Sequence, residues 1–415
     1  MKMHLHVAIG VVAAVLSSSP AAAQPNAVLT WNAIAIATPA GNPFNQARVM
    51  AATQLAVFEA VNAIQGGYEP YLGTIVAPAG ASADAAAIVA AHRVLRHYLP
   101  ASASALDTAR TNSLASIPDG GAKDTGITVG EAAAAAIIAA RTNDVSPVPE
   151  FHLPTSTAPG EWQLTPSCPA TGGVLLHWRN LAPFGIASAA DFVAPPPPAL
   201  TSTMYAKDFD EVKRVGSQNS TERPQDRADV ARFYASASPA YVMSLAARQI
   251  ATAQGRSMLH SARALALLNM AISDGAVASF ATKYQYTTWR PETAIRGADL
   301  DGNSKTDADV TWVPYITAPC FPGYTSNHAS LSASGAEVLR RIYGAAGHSI
   351  VMTHPMSPTL TYNYSAFHQI TADIDDARVF GGIHFRHDQD AGGVLGRKVG
   401  TAVYKGNLRK LDAPQ

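Results

Sequence analysis

The sequence contains little charge and no excess of either sign. Asp, Glu, Lys and Arg make up 14% of its 415 residues, and 30 Lys and Arg balance 30 Asp and Glu. A chain without net charge has no global field to attract nucleic acid or an anionic membrane surface. We therefore expect no nucleic-acid partner, and any anion site has to be a local cluster of basic side chains.

Long apolar runs are also scarce, and the run at the N-terminus is short. Lys2 precedes an apolar stretch at residues 7–16, and three alanines follow at residues 21–23. This order is typical of a cleaved signal peptide, whereas a spanning helix needs about 20 apolar residues. The sequence predicts a signal peptide at residues 1–23, export to the periplasm or the extracellular space, and no stable membrane insertion. An uncleaved anchor is the alternative.

Cysteine is nearly absent, with only Cys168 and Cys320 in the whole sequence. In an oxidising compartment, two cysteines allow one intramolecular disulfide, which is a possible link between distant segments here. Two separate buried thiols are the alternative. Oligomeric state does not follow from the composition.

Strand-like alternation is scarce as well, and helical periodicity dominates, so the sequence predicts an all-α fold of two packed antiparallel helical bundles. We expect an N-terminal bundle at residues 24–144, a Pro- and Gly-rich connector at 145–201, and a C-terminal helical domain at 202–410 that carries the site. Helices are predicted at residues 45–64, 82–97, 102–114, 130–142, 203–215, 225–235, 239–254, 258–282, 326–343, 364–380 and 388–403.

The first segment with suggestive chemistry is KYQYTTWRP at residues 283–291. Lys283 lies near the end of a predicted helix, and Arg290 lies next to the helix-breaking Pro291. Both side chains can therefore leave the helix for one pocket. The alternative is a solvated pair of cations favoured by the helix dipole.

The second segment is CFPGYTSNHAS at residues 320–330. Thr325 or Ser326 can cap the helix that follows, and the free amides of a helix N-terminus form a ready seat for an oxyanion. The Ser326 hydroxyl would be an added donor, and His328 would face the same anion. An ordinary helix cap with an incidental histidine is the alternative.

The third segment is ARVFGGIHFRHDQD at residues 377–390. Arg378 comes six residues before His384, and Asp388 follows four residues after it, where its carboxylate could orient the imidazole. The alternative is a surface patch of alternating charge. In either case we expect Arg386 and His387 to be solvated, and His387 to contribute little to a site.

Asp274 is a candidate supporting residue. It shares a face of its predicted helix with Leu267, Met270 and Val277. A carboxylate on such a face is expected to be buried and paired, because an unpaired buried charge is costly. Arg290 or Arg378 is the expected partner.

Taken together, the three segments resemble the signature K-x6-R-P, P-S-G-H and S-R-x3-G-x-H of the vanadium haloperoxidases and the related acid phosphatases of the type 2 phosphatidic acid phosphatase superfamily, in its secreted bacterial branch. The similarity extends over residues 239–400. Thr325 replaces the proline, Asn327 the glycine and Ala377 the serine of the signature. The matching residues are Lys283, Arg290, Pro291, Ser326, His328, Arg378, Gly382 and His384.

The resemblance implies an enzyme with an oxyanion site. The oxygens of vanadate or phosphate would be held by Lys283, Arg290, Ser326, the Asn327 amide and Arg378. In a haloperoxidase the cofactor would be vanadate and the substrates hydrogen peroxide and halide. There His384 would be the axial ligand of vanadium, His328 would exchange protons with the apical oxygen, and Lys283 would polarise bound peroxide. These three residues and Asp388 are the candidate catalytic groups.

An acid phosphatase acting on a phosphomonoester is the alternative on the same residues, and it would need no cofactor. In that case His384 would attack phosphorus, and His328 would protonate the departing alcohol. Trp289 and Phe321 resemble apolar residues that line the haloperoxidase pocket, which favours the peroxidase. A non-catalytic phosphate- or vanadate-binding protein is the third possibility, although such a protein has no need of two histidines.

Overall fold

A computed structural model describes residues 26–144 and 149–411. The predicted signal peptide at residues 1–23 lies outside the described residues. In the first half the helices are α1 Ala27–Ala37, α2 Pro43–Gln65, α3 Ala83–Tyr98, α4 Ala103–Ala115 and α5 Gly121–Ala140. The second half comprises α6 Thr203–Val215, α7 Gln225–Ser236, α8 Pro239–Ala253, α9 Met258–Tyr286, α10 Pro291–Arg296, α11 Asn327–Tyr343, β1 Ala346–Met352, β2 Tyr362–Ala366, α12 Phe367–Val379 and α13 Arg386–Gly406.

The helical fold class is confirmed, and most predicted helices begin and end within a few residues of the observed ones. The main differences occur where packing determines the structure. α5 begins at Gly121, nine residues before the predicted start, because Gly126 lets this polar turn approach α3 closely. A Cβ atom on Gly126 would lie 2.3 Å from the Ser82 carbonyl oxygen.

The strand β2 replaces the first turn of the helix predicted at residues 364–380, and β1 lies in a segment without a predicted helix. β1 and β2 pair as an antiparallel hairpin, with Ile350 opposite Tyr364. Both strands alternate between exposed and buried side chains, which is the period-two pattern of a half-buried strand. Tyr364 therefore lies in a strand, and α12 begins only at Phe367. The short helices α1 and α10 were not predicted.

The 29-residue helix α9 lies at the centre of the molecule. It packs against α2 of the first half and against α8, α11 and α13 of the second. Among the described residues, α9 is the one helix long and apolar enough to cross a membrane, and 94% of its apolar window is buried within the protein, as in a core helix. Buried apolar residues form two clusters, and the larger one includes helices on both sides of the connector. The domain boundaries stay a prediction.

The part of the connector that the structure describes, residues 149–201, lies against α9. Its regular structure consists of short 3-10 turns at Leu176–Asn180 and Ala189–Phe192. The backbone of Trp162 donates a hydrogen bond to the Thr287 carbonyl at 2.6 Å, just beyond the end of α9. The structure also joins Cys168 to Cys320 as a disulfide, with the two Cα atoms 5.2 Å apart. The connector is thereby attached to the loop that precedes α11.

Candidate active site

The second and third of the chemically suggestive segments line one cavity of about 570 Å³. Asn327, His328, Arg378 and His384 line it, together with Phe321. The first half contributes the beginning of α2, where the Asn42 side chain caps the helix by accepting the Phe44 amide at 3.0 Å, and the connector contributes Val174 and Leu175. Distant parts of the chain therefore form the walls of this cavity.

Lys283 lies behind this cavity in the last turn of α9 and is fully buried. Its ammonium group donates to the Pro322 carbonyl at 2.8 Å and to the Gly323 carbonyl at 2.7 Å. Burial and the nearby Arg290 charge lower the pKa of Lys283 well below its usual value. The lysine thus connects the end of α9 to the loop before α11.

Arg290 is fully buried next to Lys283 and reaches two of the three segments. Its Nε donates to the Phe321 carbonyl at 3.0 Å, and its Nη1 donates to the Ile383 carbonyl at 2.8 Å. Burial lowers the pKa of Arg290 to about 10, so the guanidinium stays charged at neutral pH. Its buried Nη2 finds no hydrogen-bond partner among the described residues.

The environment of His384 determines its tautomer. Its Nε2 lies 2.9 Å from Arg290 Nη1, and its Nδ1 lies 2.8 Å from Asp388 Oδ2. A guanidinium can only donate and an ionised carboxylate can only accept, so Nδ1 carries the hydrogen and Nε2 presents its lone pair. Burial and the positive charge of Arg290 lower the pKa of His384, which favours this neutral form. His384 is therefore arranged as a nitrogen ligand or nucleophile.

The N-terminus of α11 forms another side of the site. Ser326 is the N-cap, and its Oγ accepts from the Ala329 amide at 3.4 Å, which leaves its own hydrogen available. The side-chain oxygen and nitrogen of Asn327 are buried and find no partner in the described part of the chain. His328 is partly buried, and burial together with the Arg378 charge lowers its pKa well below the usual range.

Arg378 enters the cavity from the end of α12. Its Nη1 donates to the Tyr234 carbonyl at 3.4 Å, while its buried Nε is without a partner within residues 26–144 and 149–411. The following turn needs Gly382, whose φ is 78°. A Cβ atom there would lie 2.2 Å from the Gly216 carbonyl oxygen. This close approach sets the path of the chain from Arg378 to His384.

The site has more positive than negative charge. Lys283, Arg290 and Arg378 are all buried, and within the described residues none of them forms an ion pair within 4.0 Å of a carboxylate. Asp388 is the nearest acidic group that acts on Lys283 and Arg290. Because buried charge without a counter-ion is costly, this arrangement suits an anion that accepts hydrogen bonds from several sides.

Asp274 is buried as predicted, but the prediction of its partner was wrong. Its carboxylate accepts three backbone hydrogen bonds from connector residues: Phe184 at 2.6 Å, Gly185 at 2.7 Å and Ile186 at 3.0 Å. Neither Arg290 nor Arg378 contacts it, because a carboxylate at this level of α9 faces the connector. Asp274 therefore supports the connector, and its effect on the site is indirect.

Trp289 does not line the cavity that contains His384. It is buried and lines a second cavity of about 300 Å³. Tyr205, His387 and Asp388 also line this second cavity. Trp289 is adjacent to Arg290 in extended backbone, so the two side chains point in opposite directions. Phe321 does line the His384 cavity, and its ring lies 5.3 Å from Lys283 Nζ.

His387 is not solvated, contrary to the prediction, and Arg386 is only partly exposed. The His387 ring is buried and its Nδ1 lies 2.7 Å from Asp208 Oδ2, while Arg386 forms ion pairs with Glu211 and Asp376. Asp208 lies on α6, 179 residues away along the chain. Neither it nor the Tyr234 carbonyl gives any local sequence signal of a role near the site.

These features define a class of protein: a helical-bundle protein with a buried cationic pocket around a neutral histidine. Residues 263–412 match the family model of the VCPO second helical-bundle domain. A bacterial vanadium-dependent iodoperoxidase has a similar structure, with a TM-score of 0.78, 24% identity, and coverage of 94% of this chain and 97% of that one.

A bacterial vanadium-dependent chloroperoxidase is also similar. Its apo form superposes with a TM-score of 0.74 and 18% identity over 90% of this chain and 96% of that one. Its holo form gives a TM-score of 0.70 and 18% identity over 90% of this chain and 97% of the other. No curated protein sequence matches the chain. The fold is that of these bacterial vanadium-dependent haloperoxidases, and residues 263–412 match their second helical-bundle domain, as the sequence resemblance predicted.

Proposed function

We propose that this protein is a vanadate-dependent haloperoxidase that oxidises halide with hydrogen peroxide. The observation that carries the proposal is the set of three buried cations, Lys283, Arg290 and Arg378, around the lone pair of His384 Nε2. A tetrahedral oxyanion would supply the missing negative charge. It would also accept hydrogen bonds from donors that find no partner among the described residues.

The donor set fits vanadate. Arg290 Nη2, Arg378 Nε and the side-chain Nδ2 of Asn327 are buried donors without partners in the described chain, and the Ser326 hydroxyl is a further one. His384 Nε2 would be the nitrogen ligand, because its lone pair is directed away from Asp388. When bound, vanadate supplies a Lewis acid that activates hydrogen peroxide for attack by halide.

The protein's own residues prepare this chemistry. Asp388 holds the hydrogen of His384 on Nδ1, which leaves the lone pair on Nε2. That lone pair accepts from Arg290 Nη1, and it would become a ligand when this hydrogen bond gives way to the oxyanion. Arg290 and Arg378 neutralise the charge of the oxyanion, and Lys283 adds a third positive charge from a position fixed by two carbonyls. His328, kept neutral by burial and by the charge of Arg378, can accept a proton at the wall of the cavity.

Two further considerations favour the peroxidase over an acid phosphatase. The structurally similar proteins are named as iodoperoxidase and chloroperoxidase. In addition, the Phe321 ring gives the cavity an apolar wall. This ring packs against Phe280, with the two ring centroids 5.5 Å apart. We also propose that the protein is exported, because the Cys168–Cys320 disulfide requires an oxidising compartment.

The test compares two reactions of the purified protein. One assay supplies vanadate, hydrogen peroxide and either iodide or bromide, and the other supplies an aryl phosphate without vanadate. We expect halide oxidation that depends on vanadate and that disappears in His384→Ala. Hydrolysis of the phosphate without halide oxidation would replace the peroxidase by the phosphatase, and binding of oxyanions without turnover would indicate a binding protein.

A further inference from the structure

The carboxylate of Asp388 has two different environments. Its Oδ2 is fully engaged, because it accepts from His384 Nδ1 at 2.8 Å and from the Phe385 amide at 3.1 Å. Its Oδ1 lies 3.6 Å from His387 Nε2. This distance is longer than a direct hydrogen bond of about 2.7–3.2 Å, so the edge of the His387 ring packs against this oxygen at close to contact distance. The His387 ring is thus the group that faces the free oxygen.

The His387 ring is itself held from several sides. Asp208 Oδ2 lies 2.7 Å from its Nδ1 and also accepts the His387 backbone amide at 3.0 Å. The Phe385 ring stacks on it with centroids 5.1 Å apart and an interplanar angle of 10°. Tyr205 and Tyr324 pack against it at 6.4 and 6.3 Å. An imidazole fixed in this way cannot turn away from Asp388 without breaking contacts in three segments.

We propose that His387 and Asp208 form a positioning pair that holds the Asp388 carboxylate, and through it the His384 imidazole, at the oxyanion site. The side chains form a continuous series from Asp208 through His387 and Asp388 to His384, with separations of 2.7, 3.6 and 2.8 Å. The series connects α6, which contributes no lining residue to the His384 cavity, to the nitrogen that would bind the oxyanion. The inference rests on the oxyanion site of the proposed function.

A displaced Asp388 carboxylate would alter His384 in two ways. The imidazole would lose the acceptor that keeps its hydrogen on Nδ1, and its ring would be free to rotate away from Arg290. Outer groups that orient a ligand commonly affect affinity or activity by about 10- to 100-fold when they are removed. We therefore expect a measurable effect from residues that do not contact the oxyanion.

The experiment uses Asp208→Asn and His387→Phe in the full chain. The first removes the charge at nearly constant volume, and the second keeps an aromatic ring for the stacking on Phe385 but removes both nitrogens. Asp210→Asn is the matched control, because Asp210 lies on the same helix, is exposed and pairs with Arg214. Inorganic phosphate and inorganic vanadate serve as probes in titration calorimetry.

A second measurement follows His384 without any bound anion. In protein labelled with ¹⁵N-histidine, the Nδ1 hydrogen donated to Asp388 gives a downfield proton signal, which His384→Ala identifies by its loss. We expect both variants to bind the two probes about tenfold more weakly and to shift or broaden this signal. Asp210→Asn should change neither the affinity nor the signal.

Three results would overturn the proposal. One is unchanged affinity together with an unchanged signal in both variants. Another is a lower melting temperature with unchanged affinity and signal, which would assign the pair a purely structural role. If the wild-type protein binds neither probe, the proposed function fails. In that case the His384 signal alone tests the positioning role, and an unchanged signal in both variants would overturn it.

Discussion

His384 is the residue at which the charge, hydrogen bonding and burial of the site meet. Its two nitrogens have opposite partners, a carboxylate and a guanidinium, and together these specify one neutral tautomer. The motif around residue 384 was visible in the sequence. The contact with Arg290 was not, because the two residues are 94 positions apart.

Removing the His384 ring should remove the nitrogen whose lone pair accepts from Arg290 and would bind the oxyanion. We expect His384→Ala to weaken vanadate and phosphate binding by about a hundredfold or more and to abolish turnover. The matched control is His368→Ala, an exposed histidine on α12. Titration calorimetry and halide-oxidation assays measure the effect. Equal losses in the two variants would contradict the assignment.

Asn327 stands where the related signature has glycine, and its side chain reaches the cavity. Both of its side-chain polar atoms are buried without a partner among the described residues, so we expect the side-chain Nδ2 to donate to a bound oxyanion. Asn327→Ala should then weaken phosphate binding by about tenfold or more, because one hydrogen bond to a charged group contributes about 1.5–3 kcal/mol. Titration calorimetry shows whether the phosphate affinity of the variant falls or rises. Tighter binding in the variant would mean that the side chain obstructs the oxyanion.

At the scale of secondary-structure elements, the connector contributes to the site although it has little regular structure. It was expected to be irregular, and the residues the structure describes are largely so, yet it supplies Val174 and Leu175 to the site cavity. Two devices attach it, the disulfide to Cys320 and the three amides that Asp274 accepts. Each of these two attachments can be removed by a single substitution.

The disulfide joins residues 152 positions apart. The chain-entropy model assigns a loop of this length a stabilisation of about 5 kcal/mol, an upper figure. We expect Cys168→Ser to lower the melting temperature and to weaken phosphate binding, because the loop from Pro322 to Ser326 loses its covalent attachment. Reductant should affect the wild-type protein in the same way and should not affect Cys168→Ser/Cys320→Ser. Unaltered phosphate affinity in these variants would remove the functional part of the expectation.

Asp274 should make stability depend on pH. Burial raises its pKa to about 6, whereas the unfolded chain has the ordinary value of about 4. Between these values the unfolded chain releases the proton first, so the unfolding free energy falls as pH rises from about 4 to about 6, by about 3 kcal/mol, and is level above that.

The comparison with Asp274→Asn isolates this effect. The asparagine variant has no titrating group there, so the stability of the wild-type protein relative to the variant should decrease by about 3 kcal/mol from pH 4 to pH 7. Urea denaturation at a series of pH values measures both proteins. A difference that stays constant over this range would show that Asp274 titrates normally.

At the scale of the whole molecule, the site cavity is assembled from parts that are far apart in the chain. The beginning of α2, the connector, the end of α7 and the segments around α11, α12 and His384 all line it. A ligand in this cavity contacts several of these parts at once. Ligand binding should therefore stabilise the entire fold.

We expect phosphate or vanadate at about 100 times its dissociation constant to stabilise the folded protein by about 2.7 kcal/mol, seen as a rise in melting temperature. Arg378→Gln should abolish most of this rise, because it removes a buried cation of the cavity. Arg397→Gln, at an exposed position on α13, is the control. A rise of equal size in Arg378→Gln would exclude Arg378 from the oxyanion site.

The sequence by itself determined the helical class, most helix positions and the residue types of the site, because helical periodicity and the chemistry of an oxyanion pocket are both written in short segments. The tertiary structure alone decided the partners: Asp208 for His387, the Phe184–Ile186 amides for Asp274, and the opposite orientation of Trp289 and Arg290. It also decided that β1 and β2 pair and that α5 begins early against α3. The physical reason is that periodicity reports which face of an element is buried, whereas the group that meets a buried polar atom depends on how distant elements pack.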